Sequence, residues 1–160
     1  MSRKLVIMPP SFRRKKSDRM LPAIEMYNGV LYQVLKANMP KEGVDVVILT
    51  ENLELIPSWK EIPYRPPKGE KRWSGFALKE EVSEEIIRRN LQFLKELFEK
   101  GEYDEVFIAL GRGWRQAIKG IDDLAKERGI KITYISGKGL GFYEASLKRW
   151  LNQLKEGNKC

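Results

Sequence analysis

The sequence predicts an α/β protein with a mostly parallel, doubly wound sheet of four or slightly more strands and helices on both faces. Short runs rich in β-branched residues alternate with longer segments of helical period, and glycine-rich turns separate the two. The strand-like runs are apolar throughout, which is typical of strands buried on both faces of a sheet. At 160 residues the chain is expected to form one domain, residues 1–160.

The elements alternate along the chain in the order that such a sheet requires. Strands are predicted over residues 4–8, 44–50, 104–110 and 130–136. Helices are predicted over residues 21–38, with a break near Asn28-Gly29, and over residues 78–100, 114–129 and 142–157. Two segments lie outside this alternation: a basic loop at 9–20, and a loop at 51–76 with four prolines and two tryptophans. Loops as long as the second are usually functional in compact domains.

Composition excludes several kinds of chemistry. The chain has no histidine and a single cysteine, Cys160, which excludes a Ser-His-Asp triad, a Cys-His dyad and histidine-ligated metal sites. An oxygen-ligated magnesium site remains open, but no Asp-x-Asp cluster indicates one. We assign neither a metal nor a cofactor from the sequence. No apolar run approaches the roughly 20 residues that a bilayer span needs, and the run at 5–8 is too short for a signal peptide. The protein is therefore expected in the cytoplasm, without a membrane partner. Its abundance of Lys, Glu and Arg is similar to that of hyperthermophile proteins.

Positive charge is concentrated near the start of the chain. The formal net charge is +8, and residues 1–20 carry seven cations against one carboxylate, Asp18. A solvated basic tail is the ordinary explanation of such a run. Here the run follows a predicted strand, which makes it a loop on a folded scaffold and indicates an anionic partner.

Two basic glycine turns follow the last two predicted strands. Gly111-Arg112-Gly113 precedes Arg115, and Gly137-Lys138-Gly139 precedes the last helix. A cation in the first turn of a helix opposes the helix dipole at a cost of about 0.3–1 kcal/mol, so a compensating anion is expected there. Ligands of parallel sheets bind at the carboxyl ends of the strands, which is where both turns fall. Neither turn is a P-loop or a complete dinucleotide motif, and tight strand-to-helix turns without a ligand remain the alternative.

The long loop combines cations with aromatic residues. Three cations are interleaved there with three aromatic residues: Lys68, Lys71 and Arg72 with Tyr64, Trp73 and Phe76. Cations that bind phosphate beside stacking aromatics are typical of proteins that bind single strands or flipped bases. The alternative is that the aromatic side chains fasten the loop to the core.

Three quoted stretches resemble the YaaA family, peroxide-stress proteins once known only as a domain of unknown function. They are "LVIMPPSF", "PAIEMYNGVLYQVL" and "VILTENLELIPSWKEIPYRPPKGEK". The terminal "GKGLGFYEASLKRWL" is similar to the end of shorter YaaA-related domains. Val30 stands where the family has an aspartate. The resemblance implies a DNA-binding α/β fold and a role in limiting oxidative damage, and the matching functional residues are Ser11, Pro22, Tyr27, Gly29, Tyr64 and Arg65.

Three functions are compatible with the sequence, and the first is binding of nucleic acid or a phosphorylated nucleotide through basic glycine-rich loops. Its candidate residues are Ser11, Arg13, Arg14, Lys15, Lys16, Tyr27, Tyr64, Arg65, Lys71, Arg72, Trp73, Gly111, Arg112, Gly113, Arg115, Gly137, Lys138 and Gly139. The second is a hydrolase or lyase acting on a nucleotide or modified base, with Glu51 as the catalytic carboxylate and Glu54 or Glu144 as substitutes. The third is a protein-interaction module that uses the helix at 78–100. DNA, RNA and free nucleotide all remain open, as does the oligomeric state.

Overall fold

A computed structural model gives the structure of residues 3–66 and 82–157. Its main sheet has five strands in the order β4-β3-β1-β6-β7, and β2 pairs with β5 in a separate two-stranded sheet. The strands are β1 (Arg3–Met8), β2 (Leu21–Pro22), β3 (Val44–Leu49), β4 (Leu55–Pro57), β5 (Glu61–Ile62), β6 (Tyr103–Ile108) and β7 (Lys131–Tyr134). β3, β1, β6 and β7 are mutually parallel, while β4 runs antiparallel to β3.

The helices lie between the parallel strands along the chain, except for the last, which follows β7. They are α1 (Ala23–Met26), α2 (Val30–Asn38), α3 (Glu84–Lys100), α4 (Arg112–Arg115), α5 (Ile121–Lys126) and α6 (Leu140–Gly157), with a 3-10 turn at Gln116–Ile118 between α4 and α5. The Ser83 hydroxyl accepts a hydrogen bond from the Ile86 amide and so caps α3 at its first turn. Within residues 3–66 and 82–157, no helix has the length and apolar content needed to cross a membrane.

The core lies on both faces of the main sheet. Leu5 and Ile7 of β1 face the cluster that buries Leu94 of α3 and Ile121 of α5. The alternate residues of β1 face the opposite cluster, which buries Leu35 of α2 and Leu151 of α6. Both faces of β1 are therefore covered, which accounts for a run that is apolar at every position. The prediction of an α/β protein with a mostly parallel sheet is confirmed.

Two segments differ from the prediction: a predicted loop contains strands, and a predicted helix is divided. The segment predicted as a loop at 51–76 contains β4 and β5, because the apolar pair Leu55-Ile56 returns along β3 through a tight turn in which the Glu54 carbonyl accepts from the Thr50 amide at 3.0 Å. The single helix predicted at 114–129 consists of α4, the 3-10 turn and α5, divided at Gly120. The predicted break near Asn28-Gly29 is confirmed between α1 and α2. Residues 67–76 of the loop and 78–81 of the predicted helix lie outside the described residues.

Candidate functional site

The carboxyl ends of four parallel strands meet at one edge of the sheet. Backbone hydrogen bonds continue past the strand ends, from the Ala109 amide to the Ile7 carbonyl and from the Ile135 amide to the Ile108 carbonyl, both at 2.9 Å. We call this the carboxyl edge and define it by the segments that follow β1, β3, β6 and β7, which are residues 9–20, 50–54, 109–115 and 135–139. The basic loop and both glycine turns therefore lie at the same edge.

Cations outnumber carboxylates on these segments by eight to three. The carboxylates are Asp18, Glu51 and Glu54. Six of the cations are exposed and have no hydrogen-bonding or ion-pair partner for their side chains among the described residues: Arg13, Lys15, Lys16, Arg19, Arg112 and Lys138. The other two, Arg14 and Arg115, bind groups of the protein itself.

Arg14 is the buried centre of the basic loop. Its side chain is 4% exposed and forms an ion pair with Glu51, in which Nη1 lies 3.0 Å from Oε1. The same Nη1 donates to the Arg65 carbonyl at 2.9 Å, and Nε donates to the Ser11 carbonyl at 3.1 Å. The guanidinium carbon lies 5.3 Å from the centre of the Tyr27 ring. Arg14 thus joins the loop after β1 to the end of β3 and to the chain at residue 65.

Glu51 has a second donor. The Tyr27 hydroxyl donates to Oε2, so both carboxylate oxygens accept from side chains of the protein. Burial, and then the bond to Glu51, raises the pKa of Tyr27 far above its ordinary value. Burial likewise raises the pKa of the neighbouring Tyr32, whose hydroxyl donates to the Pro9 carbonyl at 2.6 Å. Tyr27 and Tyr32 are therefore neutral donors, and Glu51 is a fixed acceptor that is about one quarter exposed.

A second set of bonds fixes the basic loop beside the start of α2. The Ser11 hydroxyl donates to the Arg13 carbonyl at 2.8 Å and accepts from the Gly29 amide at 2.9 Å. A Cβ at Gly29 would overlap the Ser11 hydroxyl, so this close approach requires glycine. The Asn28 amide also donates to the Arg13 carbonyl, at 3.0 Å. The exposed cations of the loop consequently extend from a backbone that is held in place.

Arg115 joins the two glycine turns. Its Nε donates to the Leu110 carbonyl at 2.8 Å and its Nη2 to the Ile135 carbonyl at 3.2 Å, while the guanidinium carbon lies 4.5 Å from the centre of the Tyr134 ring. The Tyr134 hydroxyl donates to Asp122 at 2.7 Å. Burial, and then the bond to Asp122, raises the pKa of Tyr134 to about 12.

A cleft of about 570 Å³ opens beside Arg115, between α3, α5 and β7. Its polar wall includes Arg112, Arg115, Lys119 and Asp122, and its apolar wall includes Ile87 and Ile118. The cleft has the size of an ordinary small-ligand site, and its walls carry more positive than negative charge.

The structure brings most of the predicted site residues to the carboxyl edge. Tyr64 is half-buried, Arg65 is exposed and reaches the edge through its carbonyl, and Glu54 pairs with Lys60 at 3.8 Å. Glu144 is half-buried in α6. Lys71, Arg72 and Trp73 lie outside the described residues. No group of three or more potential metal ligands occurs in the described part of the chain.

The sequence did not reveal that Arg14 and Glu51 form a pair, because they are 37 positions apart and nothing local links them. Their positions in the segments that follow two neighbouring strands, β1 and β3, are the signal that could have indicated it.

Comparisons with known proteins show the fold alone. No family model matches the chain, and no curated protein does. The crystal structure of AF0587, a protein of unknown function, is similar with a TM-score of 0.54 and 16% identity. The similarity covers 94% of this chain and 44% of that one, so the chain spans less than half the length of AF0587.

Proposed function

We propose that the protein binds nucleic acid or nucleotide phosphates along its carboxyl edge. One observation carries the proposal: six exposed cations without a partner in the described residues follow three neighbouring strands, β1, β6 and β7. Phosphates supply the missing negative charge, and release of their counterions supplies the free energy of binding. The kinship with the YaaA family that the sequence suggests, with its DNA-binding class, is part of the same proposal.

The path of the chain supports this location. From β1 the chain moves to β3 on one side, and it then returns past β1 to β6 and β7 on the other. We interpret the sheet as doubly wound about this reversal, and ligands of doubly wound sheets bind at the crevice where the strand order reverses. The segments that flank the crevice are 9–20 after β1 and 109–115 after β6, which together hold seven of the eight cations.

The contacts of Arg14 support the same proposal. Arg14 is committed to Glu51 and to backbone carbonyls, so it contributes no free charge to a ligand. Its bonds instead hold the loop that presents Arg13, Lys15 and Lys16 to solvent. Cations on a fixed backbone lose less entropy on binding than cations on a free tail.

Replacing Arg13, Lys15 and Lys16 together by Gln tests the proposal. Binding of fluorescein-labelled DNA and RNA, single-stranded and duplex, is followed by anisotropy between about 50 and 200 mM salt. Because each lost phosphate contact removes about 0.7–0.9 from the slope of log K against log salt, the slope should fall by about two to three. The affinity at the lowest salt should fall about tenfold or more.

The matched control replaces three exposed lysines at the opposite edge, Lys41, Lys100 and Lys131, by Gln. It removes the same charge from the molecule, and we expect the salt slope to remain close to that of the original protein. An equal loss in both triple variants would show that only net charge matters, and it would contradict the assignment to the carboxyl edge. Absence of binding by the unaltered protein at low salt would contradict the proposal as a whole.

A second candidate is an enzyme that acts on a nucleotide or a modified base. The observation in its favour is that Glu51 is a partly exposed carboxylate at the end of β3, oriented by Arg14 and Tyr27. Oriented carboxylates serve as bases in catalysis. Loss of turnover in Glu51→Gln, with Glu54→Gln fully active, would support this role. Both oxygens of Glu51 are already bound, which favours the role of an anchor.

A further inference from the structure

Phe142 is an exposed aromatic residue at the carboxyl edge. It lies in the first turn of α6, four positions after Lys138, and is 66% exposed. A Cβ at Gly137 would overlap the Cβ of Phe142, so the glycine turn lies directly against the base of this side chain. Gly137 also has a φ of +127°, which an L side chain rarely adopts. The glycine turn therefore holds the side chain at its base while most of its surface faces solvent.

Phe142 lies at the same end of the molecule as the basic loop. α2 packs against α6, and both helices begin at the carboxyl edge. The basic loop is bonded to the chain just before α2, through the Met26 carbonyl and the Gly29 amide. Arg13, Lys15 and Lys16 consequently lie at the same end of this helix pair as Lys138.

Burial alone does not explain this arrangement. An aromatic side chain that is two thirds exposed contributes little to a core. This one lies four positions after Lys138, at the same end of the helix pair as the basic loop. Exposed aromatics among cations are how proteins bind single strands, since unpaired bases stack on the ring while phosphates meet the cations. In a duplex the bases stack on each other and leave no face for the ring.

We propose that Phe142 stacks on an unpaired base, which makes single-stranded nucleic acid the preferred ligand of the carboxyl edge. This inference rests on the proposed function. It adds a preference for single-stranded over duplex nucleic acid and the residue that causes the preference. The strand's phosphates lie along Lys138 and the basic loop, and the ring of Phe142 covers the face of one base.

The experiment compares Phe142→Ala, Phe142→Tyr and Trp59→Ala in the complete protein. Trp59 is the matched control because its side chain is 73% exposed but lies away from the carboxyl edge. It is in the turn after β4, where the Ser58 amide donates to the carbonyl of Val46 within β3. The probes are labelled oligothymidylate of about 20 nucleotides and a duplex of the same length, titrated at several salt concentrations. Circular dichroism establishes that each variant is folded.

Loss of one stacked base should weaken oligothymidylate binding by Phe142→Ala about 5-fold to 100-fold, and leave its salt slope unchanged. Duplex affinity should stay within about twofold, Phe142→Tyr should keep the single-strand affinity, and Trp59→Ala should match the original protein. If Phe142→Ala binds oligothymidylate as well as the original protein does, with a steep salt slope intact, stacking is overturned and the phosphate-binding edge stands. If the original protein binds neither probe, both proposals are overturned.

Discussion

The two edges of the sheet use the same charged residues in opposite ways. The amino edge, where the parallel strands begin, comprises residues 3–4, 41–45, 100–105 and 131, and cations and carboxylates are equal in number on these residues: Arg3, Lys4, Lys41, Lys100 and Lys131 against Glu42, Asp45, Glu102, Asp104 and Glu105. Arg3 pairs there with Asp45, and Lys4 pairs with Asp104, each at 2.7 Å. At the carboxyl edge, six of eight cations have no partner among the described residues. At the amino edge the carboxylates match the cations in number and two of the five cations are paired with them, whereas the carboxyl edge carries an excess of cations that have no partner among the described residues.

One of the two exceptions at the carboxyl edge, the pair of Arg14 and Glu51, gives the largest expected effect on stability. Glu51→Gln leaves the guanidinium of Arg14, whose side chain is only 4% exposed, without its counter-charge. Breaking a buried pair costs about 3–5 kcal/mol, and the one-quarter exposure of Glu51 lowers our expectation to about 2–3 kcal/mol. Urea unfolding monitored by circular dichroism measures the free energy of unfolding.

Glu54→Gln is the control on the same segment. Glu54 lies 3.8 Å from Lys60, and both side chains are about half exposed, so its loss should change the free energy of unfolding by less than about 0.5 kcal/mol. Equal stability of the two variants would show that Arg14 does not depend on Glu51, and the basic loop would then lack the anchor assigned to it.

Much of the fold follows from local sequence pattern. The run at Leu5–Met8 is apolar at every position because alternate residues pack into the two core clusters on opposite faces of the sheet. The run can therefore be recognised as a central strand without knowledge of its tertiary contacts. β4 could not be predicted in the same way. Its three residues carry too little pattern, and β4 exists because Leu55 and Ile56 are buried where they pair with β3.

The sequence predicts where the cations of the candidate site lie better than it predicts which of them are bound within the protein. Once the strands are known, the segments after them must share an edge, which places Arg13, Arg112 and Lys138 without a structure. Sequence alone could not separate these cations from Arg14 and Arg115, since all five are arginine or lysine in segments that follow a strand. The distinction depends on Glu51 and on the carbonyls of Leu110 and Ile135, which only the tertiary structure brings into contact.

A smaller effect is expected when the pairing at the amino edge is broken. Arg3 donates two hydrogen bonds to Asp45, at 2.7 and 3.0 Å, and holds the pKa of that carboxyl below its usual range. Because both side chains are about 40% exposed, Arg3→Gln should lower the free energy of unfolding by no more than about 1 kcal/mol at neutral pH.

The pH dependence checks the cause of this effect. The folded pKa of Asp45 lies below its unfolded value of about 4, so the pair contributes fully above that value and is lost as pH falls through the folded pKa. The difference between Arg3→Gln and the original protein, measured in urea, should therefore shrink as the pH falls below about 4. A difference that stays constant with pH would mean that Arg3 acts through packing instead of charge.

The smallest expected effect concerns Tyr134, whose counterpart at the amino edge is Tyr103. The Tyr103 hydroxyl donates to Asp45, which Arg3 also binds, while the Tyr134 hydroxyl donates to Asp122 and Arg115 stacks on its ring without bonding that carboxylate. Burial first, and the bond to Asp122 second, raises the pKa of Tyr134 to about 12. This stabilisation is present below the ordinary tyrosine pKa of about 10 and is lost as pH rises through about 12.

Asp122→Asn should therefore lower the pKa of Tyr134 but leave it above about 10, because burial, the larger cause, remains. Ultraviolet absorbance titration of tyrosinate, with Tyr134→Phe subtracted to isolate this residue, measures the shift. An unchanged pKa would show that Asp122 does not contribute to the raised pKa of Tyr134. A pKa that returns fully to about 10 would show that the bond outweighs burial, and Tyr134 would then depend on its carboxylate as closely as Arg14 depends on Glu51.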